Sequence, residues 1–474
     1  MSKTKEHSKV LTFFGGVGTA TGANIVFEYS SSKIMVDCGL LQGSFQDELQ
    51  NFEPFAYDPS SFNFLLVTHA HMDHIGKIPK LVRAGFKGRI ISTKETKDLA
   101  LPMLEDALKV MHMRHKDKIL YEKGDIEKAM SLWEGFDYHQ KIDLEKDIKV
   151  DMQNAGHILG SAIINLFCGR EEGVTKISFT GDLGNSPSPL LPDTEIPEGA
   201  DYIVMESVYG DRNHESKEER RGRLKNAIKT GIEKGGNIII PAFSIERTQI
   251  ILYELNNMIE DGEISKVPVY LDSPLAIKVT EIYKKYADDF KAEVKEEIKN
   301  GDNIFEFPGL NVVKDFEESQ SISKKSGPKI IIAGSGMSEG GRVVDHEAEN
   351  LSDSKNTIIL VGYQTVGSLG RAIQNKQKEV TIHKKKIKIK ATVENIQGYS
   401  SHKDSDHLLE FVEAASTSPL PPLLEAGEGK KTSLKKVFCI MGEPRSSLFL
   451  SQRIREYLDI EAIYPEPNKE YFLD

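Results

Sequence analysis

Three histidines and one aspartate fall within six residues in Val67-Thr68-His69-Ala70-His71-Met72-Asp73-His74. Imidazole nitrogen and carboxylate oxygen are donors for first-row metals. Four such side chains so close together would repel one another once charged unless something paired them. On a turn, His69 and His71 can point one way while Asp73 and His74 point another, an arrangement suited to two adjacent ions. The competing reading is a polar loop that happens to be rich in histidine.

The elements around this stretch follow from its flanks. Phe62 to Val67 is short, apolar and aromatic-rich and reads as a buried strand. Ile75, Ile78, Leu81 and Val82 recur at helical spacing and are closed by Gly85. The cluster is therefore expected on a loop between strand and helix, where a rigid scaffold can present ligands. Upstream, Val10 to Phe14, Asn24 to Tyr29 and Ile34 to Val36 read as strands, and Asp37-Cys38-Gly39 ends the third. Asp37 is either a strand-end turn residue or a carboxylate orienting a ligand histidine. Gly16-x-Gly18 hints at a dinucleotide loop, but no helix follows, so Gly15 to Gly22 reads as a tight turn. Ser92-x-x-Glu95 reads as a capping box opening a helix through Met111, with His112 and His115 on its surface. The chain around Trp133 reads as helical.

Two more donors follow. His157 stands between glycines in Gly156-His157-Ile158-Leu159-Gly160-Ser161-Ala162. Asp182 follows Gly181 at the end of a strand from Lys176 to Thr180. Alone, either is as readily structural; with the first cluster they complete a ligand set.

His69-x-His71-x-Asp73-His74 resembles the signature loop of the metallo-β-lactamase fold. From about Leu11 to about Glu443 the chain is similar to its β-CASP nuclease branch. The resemblance implies an α/β fold: a metallo-β-lactamase αββα sandwich, residues 1–207 rejoined by 391–474, with an inserted α/β β-CASP domain at 208–390. It implies two zinc ions, one held by His69, His71, His157 and Asp182, the other by Asp73, His74 and Asp182. Asp37 falls where the family has an orienting aspartate. Glu206-Ser207-Val208-Tyr209-Gly210 and Ser400-Ser401-His402-Lys403-Asp404 resemble two motifs special to the branch. They imply that His402 acts as general acid oriented by Glu206, with Asp73 also in the catalytic set. The implied activity is hydrolysis of RNA phosphodiesters. The chain departs from the family at Met441, where RNA-cleaving members place a histidine ligand of the second metal, so that site is expected to be weaker. A DNA-directed nuclease, a small-molecule hydrolase and a non-catalytic RNA-binding scaffold are the competing readings.

Within 208–390, helical charged segments alternate with apolar runs, which argues for a doubly wound layer. Asn237 to Pro241, Thr248 to Leu255, Val267 to Leu271, Lys329 to Ala333 and Thr357 to Val361 are those runs. Thr280 to Lys299 reads as one long solvated helix. Ser335 and Gly336 follow a strand and are expected to open a helix whose N–H groups bind phosphate. Arg371 could hold a phosphate bidentately. Lys384 to Lys390 reads as a lysine-protected edge strand in preference to an RNA track. Ser416 to Lys431 reads as a flexible surface loop.

Composition bounds the rest. The chain of 474 residues is 39% hydrophobic and 28% charged, globular values that predict two or more domains. A net charge of −11 argues against coating nucleic acid through bulk charge, not against a nuclease with a local groove and metals. Met1 to Lys9 is polar and unlike a signal peptide, and no run of about 18 apolar residues exists. Three scattered cysteines read as buried thiols of a cytoplasmic protein. The expected partner is RNA; no membrane is expected, and a homodimer is left open.

Overall fold

The computed structural model describes residues 8–43, 45–115, 117–170, 173–214, 217–362, 364, 367–417 and 434–474. Two compact units result: one of Met1–Ser188, Pro192–Asn213 and His402–Asp474, the other of Pro189–Leu191 and His214–Ser401.

The first unit is built on two seven-stranded sheets. In one, Lys9–Gly15, Asn24–Tyr29 and Ser32–Val36 run antiparallel, then Phe64–Leu66, Arg89–Thr93 and Trp133–Phe136 continue in parallel. In the other, Ile148–Asn154, Ala162–Cys168 and Thr175–Phe179 are antiparallel, and Tyr202–Glu206 and Lys436–Ile440 add on in parallel. Alternation sets the core. Leu11 and Phe13, Ile25 and Phe27, and Ile34 and Val36 join Ile164 and Leu166, Ile177 and Phe179 in one apolar cluster. Each pair is spaced by two, as one face of a strand requires. The other face of the second sheet buries Ile163, Ile203 and Val437 with Leu408, Val412, Leu450 and Ile454. The last four lie on the helices Ser405–Thr417 and Pro444–Leu458.

The second unit carries a six-stranded sheet that is parallel throughout, in the order Leu310–Val312, Val269–Leu271, Lys329–Ala333, Asn237–Pro241, Thr357–Leu360, Thr392–Asn395. The runs Ile238-Ile239-Ile240 and Ile330-Ile331-Ile332 are wholly buried, as in a parallel sheet covered on both faces. All six strands therefore end on one edge. Lys385–Lys388 pairs only with Glu379–Ile382 in a separate two-stranded ribbon. Among the described residues, no helix is long and apolar enough to cross a membrane.

Several local expectations are corrected. Asp73 and His74 lie inside a helical turn, Met72–Ile75, and a second helix starts at Ile78. The long helix begins at Lys94 with Thr93 as its cap, because Ser92 instead donates to the Thr93 carbonyl and accepts from Trp133 Nε1. Trp133 consequently opens a strand, and the helix precedes it at Lys123–Ser131. The apolar run from Thr248 belongs to the helix Arg247–Glu260. The segment 280–299 breaks between Pro274–Lys285 and Ala292–Lys299, where Phe290 turns inward to 1% exposure. The helix after Gly334 starts only at Arg342. The loop at 416–431 lies outside the described residues from 418 onward.

Candidate metal centre

Val67 to His71 links the strand Phe64–Leu66 to the Met72–Ile75 turn, with His71 extended at its start. That turn is fixed by backbone contacts: the Asp73 carbonyl accepts from Ala23 N at 2.9 Å and the His74 carbonyl from Cys38 N at 2.7 Å. The approach requires Gly39, since a Cβ there would lie 1.5 Å from the Asp73 carbonyl oxygen. Gly181, at φ +54°, likewise leaves room for the Thr68 side chain beside Asp182.

Among the described residues the donors converge in three groups that share Asp182: one with His69, His71 and His157, one with Asp73 and His74, and one with Glu206 and His402. His71 Nδ1 lies 3.1 Å from His69 Nε2 and 3.2 Å from His157 Nε2. Asp182 Oδ2 lies 3.4 Å from His69 Nε2 and 3.5 Å from His157 Nε2. The opposite oxygen, Oδ1, lies 3.4 Å from His74 Nε2, which is 3.9 Å from Asp73 Oδ2. A tetrahedral cation with bonds of about 2.0–2.1 Å holds its ligands roughly 3.3–3.4 Å apart, so the first group has that spacing. Among the described residues, His74 Nε2 and Asp182 Oδ1 are buried and face each other at 3.4 Å but make no well-formed hydrogen bond, although such groups are costly to leave unmatched. The donor set thus fits divalent metal ions.

The tautomers are set from behind. His74 Nδ1 is 2.7 Å from Asp37 Oδ2, which directs Nε2 at the cluster. Asp37 also accepts from the Thr68 backbone N–H and hydroxyl, both at 2.8 Å, and the same hydroxyl lies 3.0 Å from His69 Nδ1. Burial holds His71 and His157 well below the usual imidazole range. Burial also opposes ionisation of Asp182, but His74, His69 and His402 hold it well below the ordinary carboxylate value. His74 is raised well above its usual value: burial opposes this, and Asp182, Asp37 and Asp73 outweigh it.

Next to this cluster, His402 Nδ1 is 3.1 Å from Glu206 Oε2 and 3.9 Å from Asp182 Oδ2. Glu206 ends its strand at 1% exposure and accepts from Leu183 N at 2.6 Å. The backbone of His402 pairs with Gly184, so both residues are tied to the loop that carries Asp182. Burial opposes protonation of His402, yet Glu206 and then Asp182 raise it to about 9. Glu206 itself is raised by burial.

The Beta-Casp domain family matches residues 248–373, and the metallo-β-lactamase superfamily domain matches 26–179. Ribonuclease TTHA0252 of Thermus thermophilus is 34% identical over 430 residues, covering 91% of this chain and 96% of that protein. The chain belongs to the β-CASP family of the metallo-β-lactamase superfamily. Another β-CASP relative, transcription termination factor FttA of Methanosarcina mazei, is 32% identical over 434 residues, 89% of this chain and 67% of that protein. The crystal structure of a protein of unknown function from Enterococcus faecalis V583 superposes with a TM-score of 0.55 at 14% identity. That match covers 98% of this chain and 100% of the other and concerns the fold alone.

Other expected site residues of this β-CASP chain sit elsewhere. In the second unit, Ser335 Oγ accepts from Glu339 N at 3.0 Å, and the Gly336 carbonyl accepts from Gln364 Nε2 at 3.0 Å. Arg371 Nε donates to the Gln364 carbonyl at 2.7 Å. Gln364 thus ties both motifs together. Met441, at φ +48°, is 2% exposed and packs into the apolar cluster between the sheets, its N–H donating to the Gly16 carbonyl. With Asp37, Thr68, His74 and Glu206 it lines a cavity of about 10 Å³. Thr68 was missed from sequence; its place directly before the candidate ligand His69 was the available signal. The Leu183 and Gly184 backbone contacts left no sequence signal.

Proposed function

We propose that this chain is a zinc-dependent ribonuclease that hydrolyses phosphodiester bonds of RNA. The observation that carries the reading is one carboxylate, Asp182, offering an oxygen to each of two donor groups beside a Glu206–His402 pair. His69, His71, His157 and Asp182 would hold one ion; Asp73, His74 and Asp182 would hold the second. Bound there, such ions would supply Lewis acidity and bring the pKa of bound water down toward neutrality. The protein's own residues handle the leaving group. As a water-derived oxygen bonds to phosphorus and the bond to the leaving oxygen breaks, His402 gives that departing oxygen its Nε2 proton, because Nδ1 faces Glu206. Glu206 holds the ring's orientation and stabilises its charged form. Asp37 and Thr68 fix the rings of His74 and His69. In this reading residues 1–207 with 391–474 perform hydrolysis and 208–390 handle the RNA strand. The buried free thiols of Cys38, Cys168 and Cys439 accord with a reducing, cytoplasmic setting.

The ribonuclease named among the relatives supports RNA as substrate. The methionine at 441 is the one feature that favours DNA. The test is metal content of the purified protein together with cleavage of end-labelled single-stranded RNA and DNA. Bound zinc and preferential RNA cleavage are expected. Folded protein without any transition metal, or cleavage of DNA alone, overturns the reading.

A further inference from the structure

The six parallel strands of the second unit all release their chains at one edge, and open parallel sheets bind ligands outside the carboxyl ends of their strands. Phe243 lies there, in the loop after Asn237–Pro241, and is 38% exposed. Single exposed apolar residues are ordinary. This one differs in how it is held and in what surrounds it. Its carbonyl accepts from Thr248 N at 3.2 Å and from Thr248 Oγ1 at 2.7 Å, and the next carbonyl accepts from Gln249 Nε2 at 3.2 Å. Thr248 and Gln249 are both buried, so the backbone beneath the ring is fixed.

Glycines at the ends of two further strands frame the ring. A Cβ at Gly336 would sit 2.7, 2.8 and 2.9 Å from three ring carbons, and one at Gly362 would be 4.0 Å from Cε2. Among the described residues, these two positions thus carry no side chain that would crowd the ring, and the residue remains 38% exposed. The hydroxyls of Ser244 and Ser273 gather beside Gly334 in the same row of loops.

We propose that Phe243 is a stacking platform for an unpaired base of single-stranded RNA, resting on the ribonuclease reading above. A rigid, partly exposed aromatic ring is the feature on which unpaired bases stack whatever their identity. The chain's charge of −11 adds a second reason. With little bulk attraction for phosphate, contacts to the bases add affinity that the net charge does not supply.

The test is fluorescence anisotropy with two labelled, cleavage-resistant phosphorothioate decamers, one of oligouridine and one of the same backbone without bases. Phe243→Ala is expected to weaken the base-bearing strand by roughly 5–150-fold, the loss of one stacked base. It should change the abasic strand by less than about a third of that factor, while Phe243→Tyr retains base-dependent binding. Phe243→Trp gives an independent readout, since the chain's single tryptophan, Trp133, is buried at 2% exposure. Its emission should be quenched by the base-bearing strand and not by the abasic one. Equal affinity of wild type and Phe243→Ala for oligouridine overturns the proposal, as does equal loss on both strands, which marks a structural role or a protein-docking role. A wild-type protein that cleaves RNA but shows either result keeps the ribonuclease reading and loses this one.

Discussion

Glu206→Gln tests the proton-donor assignment through pH. A donor has to be protonated, so the rate it supports is full below the pKa of His402 and falls as pH rises through it. Burial opposes protonation of His402; Glu206 is the strongest of the groups that raise it, and with Asp182 and Asp73 brings it to about 9 from a usual 6.5. Cations held by Asp182 and Asp73 would cancel much of those two contributions, leaving Glu206, at 3.1 Å, as the main one. A carboxylate this close moves a neighbour's pKa by roughly 1–3 units. A quarter of the His402 side chain is open to water, at 25% exposure, which pulls the effect toward the lower end of that range. Glutamine keeps an oxygen for the Leu183 N–H and removes only the charge. The alkaline limb of the pH–rate profile should therefore move to lower pH by about 1–2 units, which is roughly 1.4–2.7 kcal/mol of lost stabilisation of the charged ring. The assay is single-turnover cleavage of a labelled oligoribonucleotide from acid to alkaline pH, with metal content checked for each variant. A limb that stays in place, or moves upward, refutes the assignment of His402 as the donor held charged by Glu206.

Other perturbations separate the parts of the site. Asp182→Asn removes the anion shared by both donor groups and should lower bound metal at each, measured by elemental analysis after dialysis; full retention of two ions contradicts the shared-ligand reading. His402→Ala should keep the metal and slow RNA cleavage by roughly 10²–10⁴-fold, but slow an artificial diester with a good leaving group much less; equal loss on both would make His402 a positioning residue. Met441→His should raise metal stoichiometry at limiting free zinc, because a thioether is a soft, poor ligand for such a site; equal stoichiometry in both proteins removes the idea of a weakened second site. Glu347 is fully buried, and burial pushes its carboxyl up to about 8 from an ordinary 4.5. The folded state then keeps a proton that the unfolded state loses, so stability falls as pH rises from about 4.5 to about 8 and is level above that. Glu347→Gln should flatten that part of the thermal-melting profile, and an unchanged slope would exclude Glu347 as its source.

The donor cluster was legible because its chemistry is concentrated: four donors in six residues are costly to satisfy by ordinary burial. His157 and Asp182 were legible only as additions to that cluster, since a lone histidine between glycines carries little by itself. The strands of the first unit were readable as short apolar runs, their sandwich followed from the family resemblance, and the second unit was readable from apolar runs separated by charged helical segments. What escaped depended on tertiary partners. Trp133 starts a strand because its indole N–H finds Ser92 across the sheet, and the same contact takes Ser92 out of the capping role. The run Ile250-Ile251-Leu252 is apolar enough for a strand, and a short buried run of this kind does not reveal its period.

Met441 shows where reading by position alone reaches its limit. The sequence identified it as the departure from a ligand pattern, because a strand-end residue before Gly442-Glu443 is where that pattern puts a histidine. The structure shows that the position has two neighbours at once. Its side chain belongs to the apolar cluster between the sheets, while it lines the same small cavity as His74, Asp37 and Glu206. Its left-handed φ of +48° and the hydrogen bond to Gly16 fix the turn from which either side chain would project. A flexible thioether can satisfy the apolar neighbour without leaving a polar atom unpaired. An imidazole there would need a partner on its far side, and His74 Nε2 and Asp182 Oδ1, which make no hydrogen bond, mark where a shared cation could provide it. Methionine at 441 therefore relieves the core of a polar demand, and in the proposed site an ion at the second donor group would be held by Asp73, His74 and Asp182 alone.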